Sequence, residues 1–105
     1  GGGKNQELIY VEKQTFGLVL KEELFDSSFD CIIGLAYPSM AKDIGVRPLF
    51  DTMIDEQLLE ENVFAFYMSL NEDEESELTF GWYDTSKYIG ELSWYPVINK
   101  FFWTV

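Results

Sequence analysis

Residues 48–70 read PLFDTMIDEQLLEENVFAFYMSL, and the spacing of the apolar side chains changes partway along this stretch. In its first half, apolar residues recur at helical spacing: Leu49, Phe50, Met53, Ile54 and Leu58. Pro48 suits a first helical turn, and Asp51 puts negative charge near the helix N-terminus, where the helix dipole favours it. Residues 63–70 form a short aromatic and apolar run that is typical of a strand. The stretch therefore predicts one amphipathic helix followed by a strand.

Outward from this stretch, the chain consists of short segments rich in β-branched and aromatic residues. The further predicted strands are residues 8–11, 15–20, 29–37, 78–83, 91–98 and 101–105. The first two are expected to form a hairpin, and the third is expected to be buried on both faces and to end at Pro38. Gly1–Gly3 are either a hairpin turn or a linker. The predicted fold is mostly β with one amphipathic helix.

The charge balance excludes two classes of partner. The chain has 19 acidic residues against 7 basic ones and a net charge of -12, whereas binding to nucleic acid needs a clustered basic face. The same charge disfavours anionic membranes, and no apolar run approaches the roughly 20 residues of a membrane span. We therefore expect neither a nucleic-acid partner nor a membrane partner.

The residue types that are absent restrict the possible chemistry. The chain has no histidine, so Ser-His-Asp and Cys-His nucleophile pairs and histidine-bearing zinc sites cannot form within it. The single cysteine, Cys31, lies in an apolar segment and is expected to be a buried, inert thiol. Carboxylate chemistry is what remains, and no cofactor is expected.

The acidic residues 72–77 allow two interpretations, a calcium loop or a solvated hairpin loop. An EF-hand loop counted from Asn71 needs glycine at its sixth position and glutamate at its twelfth, where this chain has Ser76 and Trp82. The calcium template therefore fails. We predict a solvated loop between two strands and no metal site.

Seven sequence blocks follow one another along the chain. They are QTFG (14–17), FDCIIGLAYP (29–38), PLFD (48–51), EENVFAFY (60–67), ELTFG (77–81), SKYIGEL (86–92) and WYPV (94–97). In order and spacing they resemble the pepsin-like aspartic proteases over residues 14–105. The resemblance implies that residues 1–105 are a partial domain of the bilobal pepsin-like acid protease fold. That part would comprise the later N-terminal lobe and the crossing into the C-terminal lobe.

The triplet Asp84-Thr85-Ser86 is close to the Asp-Thr-Gly in which this family carries its catalytic aspartates. Alignment with the family, however, places one catalytic triplet well before this position and the other after it. Asp and Ser commonly cap backbone donors in turns, so we interpret Asp84 as a turn residue. No catalytic residue is expected in this chain.

The resemblance also implies which residues face substrate. Phe29 and Ile32 match positions that line pockets for apolar side chains just before the scissile bond, and Phe102 lies near the pockets beyond it. Ordinary core packing is the alternative for each. Phe25 is a further candidate, and Ile33 and Gly34 belong to a segment that braces a catalytic loop in the family.

Some positions depart from the family pattern. The family commonly has glycine at Cys31 and Trp82, tyrosine at Phe102 and glutamine at Thr104. The last two changes remove polar contacts. Two functions therefore remain open: part of a secreted or lysosomal/vacuolar endopeptidase acting on peptides or proteins, or part of a noncatalytic binding relative. In either case the remainder of the bilobal protein is the expected partner.

Overall fold

A computed structural model describes residues 8–21 and 28–105. The elements in chain order are a 3₁₀-helix at Pro38–Ile44, helix α1 at Leu49–Asp55, strand β1 at Phe64–Tyr67, strand β2 at Glu77–Phe80 and a second 3₁₀-helix at Thr85–Lys87. The two strands are antiparallel. The sequence predictions for Gly1–Gly3 and Phe25 fall outside the described residues.

Helix α1 confirms the predicted helix but ends earlier than its apolar spacing suggested. Pro48 precedes its first residue, and the Thr52 hydroxyl donates a hydrogen bond of 3.2 Å to the Pro48 carbonyl. At the other end, the amide of Gln57 donates to the Ile54 carbonyl and that of Leu58 to the Met53 carbonyl. This pair of bonds is a Schellman motif, and it requires Gln57 to adopt a left-handed φ of 55°. Leu58 therefore lies beyond the helix.

The hairpin of β1 and β2 confirms two of the predicted strands, those at residues 63–70 and 78–83. Its register pairs Phe64 with Phe80 and Tyr67 with Glu77. The ring of Phe50 on α1 packs edge-on against Phe64 at a centroid distance of 5.0 Å, and its centroid lies 6.3 Å from that of Phe80. Among the described residues, Phe50 and Met53 are the buried hydrophobic side chains. The core therefore lies between α1 and one face of the hairpin.

The loop between the two strands agrees with its sequence prediction. Residues 71–76 are exposed and contain two hydrogen-bonded turns, with the amide of Glu74 donating to the Asn71 carbonyl and that of Asp73 to the Asn71 side chain. The acidic run is thus a solvated hairpin loop, as expected because charged side chains are rarely buried unless they are paired.

The predictions of strands at 8–11, 15–20, 29–37 and 91–98 were wrong. These segments have no strand in the structure, and Leu8, Phe16 and Leu20 are 80–90% exposed. Residues 101–105 are not a strand either; residues 101–103 form a turn, flanked by a bridge between Asn99 and Thr104. A β-prone segment becomes a strand only when another strand supplies its hydrogen-bond partners. Within the described residues these segments have no such ladder.

Within residues 8–21 and 28–105, no helix is both long and apolar enough to cross a bilayer.

Candidate functional site

An open groove brings together the two residues expected to lie before the scissile bond. It has a volume of about 890 Å³ and is lined by residues 14–19, 29–34, 36, 37, 40, 41, 44 and 46–49. Phe29 is 45% exposed and Ile32 is 66% exposed, so neither belongs to the core described above. We call this the front groove. The arrangement leaves apolar side chains accessible, while their role toward substrate stays a prediction.

The third candidate, Phe102, lies elsewhere. It belongs to the turn at residues 101–103, is 58% exposed and does not line the front groove. The turn is closed by a hydrogen bond of 2.9 Å from the Ile98 amide to the Thr104 carbonyl. The structure therefore brings Phe29 and Ile32 together and places Phe102 on a separate turn.

The residue next to Phe102 connects this turn to the chain segment at the front groove. Trp103 donates a hydrogen bond of 2.7 Å from its indole Nε1 to the carbonyl of Leu35. Its ring also lies 4.6 Å from that of Tyr37 and 5.3 Å from that of Phe64. The sequence predictions did not include this contact. The available signal was its indole N–H, which usually finds an acceptor when the ring is packed.

A second groove lies beside the hairpin. It has a volume of about 740 Å³, half of its lining residues are aromatic, and Asp84 and Lys87 are among its polar ones. Tyr83 forms one part of its wall, with ring centroids 6.5 Å from both Tyr88 and Trp94. Trp103 borders this groove as well.

Asp84 is confirmed as a turn residue. It precedes the second 3₁₀-helix, and its Oδ1 accepts hydrogen bonds from the Ser86 amide at 2.9 Å and the Ser86 hydroxyl at 2.7 Å. These bonds, the hydroxyl first, hold the pKa of Asp84 below its ordinary value. A carboxyl that must hold a shared proton needs the opposite shift. Asp84 therefore has the chemistry of a cap.

A small polar cluster joins the hairpin loop to the same 3₁₀-helix. The Glu74 carboxylate accepts hydrogen bonds from the Tyr67 hydroxyl at 3.1 Å, the Ser69 hydroxyl at 3.3 Å and the Lys87 ammonium at 3.3 Å. The bond from Tyr67, and next that from Lys87, lowers the pKa of Glu74; Glu74 in turn raises the pKa of Lys87. Lys87 Nζ also lies 4.6 Å from the centroid of the Tyr67 ring. The cluster therefore holds the hairpin loop against the second 3₁₀-helix, and its carboxylate, Glu74, is already engaged in hydrogen bonds.

Cys31 is exposed, so the expectation of a buried thiol was wrong. The apolar neighbours of Cys31 suggested a buried strand, but residues 29–34 are exposed and form no ladder in the described chain. Gly34 is exposed as well, and a Cβ added there would meet no atom within 4 Å. The described residues therefore do not pack closely against Gly34.

Trp82, the other departure from glycine, is accommodated at the end of β2. Its side chain is half-buried, and its carbonyl accepts a hydrogen bond of 2.8 Å from the Thr79 hydroxyl. The preceding Gly81 is buried and has a φ of +86°. The chain therefore turns at Gly81, immediately before Trp82.

The described side chains offer no metal centre. No group of three or more histidine, cysteine, aspartate or glutamate side chains in residues 8–21 and 28–105 is arranged to hold an ion.

Comparison with known proteins identifies the family. The family model of eukaryotic aspartyl proteases matches residues 6–105. The chain belongs to this family. It is 42% identical to cathepsin E-B of Xenopus laevis over 104 residues, which are 94% of this chain and 26% of that protein. It is 39% identical to cathepsin D of Clupea harengus over 102 residues, 92% of this chain and 26% of the relative. Chymosin of Callithrix jacchus is 46% identical over 93 residues, 86% and 24% of the two chains.

This aspartyl protease chain thus spans about a quarter of the length of the relatives it matches. Its 105 residues contain neither Asp-Thr-Gly nor Asp-Ser-Gly. The family resemblance stated from the sequence blocks is confirmed over nearly the whole chain.

Proposed function

We propose that this chain is a partial pepsin-like domain of a longer, bilobal aspartic endopeptidase. It would contribute one wall of the groove that binds peptide or protein substrates. The observation that carries the proposal is the open front groove, which holds Phe29 and Ile32 exposed in a chain that belongs to the aspartyl protease family. Apolar side chains on a concave surface can bind apolar side chains of a peptide by removing both from water.

The chemistry would come from two aspartates outside this chain. In a shared-proton pair, one carboxylate takes a proton from a water molecule as that water attacks the peptide carbonyl, while the other carboxylic acid donates a proton. The residues of this chain would bind and orient the substrate. Secretion or residence in a lysosome or vacuole is part of the proposal and is supported by the resemblance to cathepsins and pepsins.

The runner-up is a noncatalytic binding relative that retains the fold. Phe102 and Thr104 support it, because they replace residues that commonly supply polar contacts in the family. The sequence flanking this chain in the longer protein separates the two functions. Two intact aspartate triplets support the endopeptidase, and replacement of either aspartate contradicts it.

Acid proteolysis of an unfolded protein substrate tests the division of labour. We expect no cleavage by the 105-residue chain, because removing the whole dyad removes water activation and proton transfer together. An Asp84→Asn variant, measured in parallel, should be indistinguishable from the unmodified chain. Cleavage that disappears in this variant would contradict both the cap assignment and the proposed function.

Substitution of a groove residue in the longer protein tests substrate binding. For a peptide with a large apolar residue before the scissile bond, Ile32→Ala should raise KM by about tenfold. This is roughly the effect of losing the contacts of one or two buried methylene groups. Ile89→Ala is the matched control, since Ile89 is fully exposed and lines neither groove. Equal effects of the two substitutions would argue against a substrate role for Ile32.

A further inference from the structure

We propose that Trp103 is a positioning residue that sets the separation of two substrate-contacting segments and thereby the selectivity of the protease. The inference rests on the proposed function. The first segment, residues 29–34, carries Phe29 and Ile32. The second, residues 99–104, carries Phe102. Trp103 belongs to the second segment and would act on the first through contacts with the residues that follow it.

The most direct contact is a single hydrogen bond. The indole Nε1 of Trp103 donates to the Leu35 carbonyl at 2.7 Å, across 68 positions of sequence. Leu35 lies three residues after Ile32, and Phe102 immediately precedes Trp103. One short bond therefore joins the backbone three residues after Ile32 to the side chain that follows Phe102.

Two rings hold the indole in the orientation that this bond needs. Tyr37 packs against it at a centroid distance of 4.6 Å and an interplanar angle of 35°, whereas Phe64 meets it edge-on at 5.3 Å and 83°. Phe64 belongs to β1 and is paired with Phe80 in the hairpin. The position of Trp103 is thus defined at the same time by the hairpin and by Tyr37 of the front groove.

A second bond repeats the connection. The Ser39 hydroxyl donates to the carbonyl of Lys100, so the first 3₁₀-helix and the turn at 99–104 are joined at another point. Two contacts restrict both the distance and the rotation between the segments. Trp103 is nevertheless 51% exposed, so filling a core is not its main contribution.

The experiment measures selectivity in the longer protein that contains this chain. Two peptides differ only before the scissile bond, where one has Phe and the other Ala. Trp103→Phe keeps an aromatic ring against Tyr37 and Phe64 but removes the donor to Leu35. We expect it to reduce the preference for the Phe peptide, measured as the ratio of kcat/KM values, by about fivefold, the effect of one lost hydrogen bond.

The distribution of the effect between KM and kcat separates positioning from a general loss of structure. The change should appear in KM of the Phe peptide, with kcat altered by less than about twofold. Trp103→Leu, which also removes the ring contacts, should reduce the preference further. Trp94→Phe is the matched control, because Trp94 packs near Tyr83 and borders only the second groove. It should leave the preference unchanged.

Each other result has a definite meaning. An unchanged preference in Trp103→Phe, or an equal loss of activity toward both peptides, overturns the positioning role while the proposed function stands. If the unmodified protein binds a reduced-amide analogue of the Phe peptide without cleaving peptides, the endopeptidase is wrong, and the ratio of dissociation constants for the Phe and Ala analogues replaces the kinetic ratio. If it neither cleaves nor binds, the proposed function fails and this inference fails with it.

Discussion

At the scale of single residues, Gly81 shows why the chain can turn immediately after β2. Its φ is +86°, a region that side chains with a Cβ rarely adopt. A Cβ at this position would lie 3.3 Å from Leu59 Cδ2 and 3.5 Å from the Glu60 amide nitrogen. The glycine thus satisfies a backbone requirement and a packing requirement together.

We therefore expect Gly81→Ala to lower the free energy of unfolding by about 2 kcal/mol or more, from left-handed strain plus the contact with Leu59. Gly90→Ala is the matched control, because Gly90 has a similar φ of +82° and open space around its Cβ position. It should show the strain alone, about 1 kcal/mol. Urea unfolding of both variants measures the difference, and equal losses would show that Leu59 gives way without cost.

Cys31 illustrates a residue whose environment differs from what its neighbours in sequence suggest. Because its side chain is exposed, we expect a thiol reagent to label it under native conditions at a rate close to that in the denatured chain. Cys31→Ser supplies the unlabelled control. Slow labelling that becomes fast only in denaturant would show that residues 29–34 are covered.

At the scale of elements, the end of α1 depends on an unusual residue. Gln57 occupies the left-handed position of the Schellman motif, where glycine is the common choice. Gln57→Gly should raise the free energy of unfolding by about 0.5–1 kcal/mol. Glycine removes the left-handed strain, and the greater entropy of the unfolded glycine chain offsets part of this stabilisation. Gln57→Ala is the control for loss of the side chain and should not stabilise. Thermal unfolding compares them, and equal stabilisation by both would exclude backbone strain as the cause.

The hairpin loop and the second 3₁₀-helix are joined by Glu74, and this contact should depend on pH. Because the folded pKa of Glu74 lies below the ordinary value of 4.5, its contribution to stability is present above that value and is lost as the pH falls through the folded pKa. Glu74→Gln should therefore lower the urea midpoint at neutral pH and have little effect once the carboxyl is protonated.

Glu75→Gln is the matched control for this prediction. Glu75 lies in the same exposed loop, whereas the bonds from Tyr67, Ser69 and Lys87 go to Glu74. It should leave the midpoint unchanged at both pH values. A deficit of the Glu74 variant that persists unchanged in acid would contradict the ionic origin of the contact.

At the scale of the whole molecule, charge and exposed apolar surface act against each other. The net charge of -12 keeps copies of the chain apart, while side chains such as Leu20, Leu70 and Ile89 are at least 90% exposed. Protonation of the carboxylates near pH 4 removes most of the negative charge and with it the repulsion. We expect light scattering by the isolated chain to rise between about pH 7 and pH 4. Constant scattering over this range would contradict the prediction.

The sequence by itself determined the family, the helix, the hairpin with its acidic loop, and the role of Asp84 as a cap. All of these depend on local order: apolar spacing near Phe50, aromatic and apolar runs on either side of a charged loop, and a carboxylate two residues from its donor. The family blocks add to this because their order along the chain is also a property of the sequence. Such features can be read from the sequence because they depend on residues that are close together in it.

Only the tertiary structure decided which β-prone segments have partners and which apolar residues are covered. Residues 15–20 and 29–37 have the composition of strands, yet Cys31 and Ile32 are exposed, because pairing and burial are supplied by other parts of a chain. The early end of α1 likewise depends on the left-handed conformation of Gln57, which its residue type does not predict. The contact from Trp103 to Leu35 is the extreme case, since a bond between residues 68 positions apart exists only when folding brings their segments together.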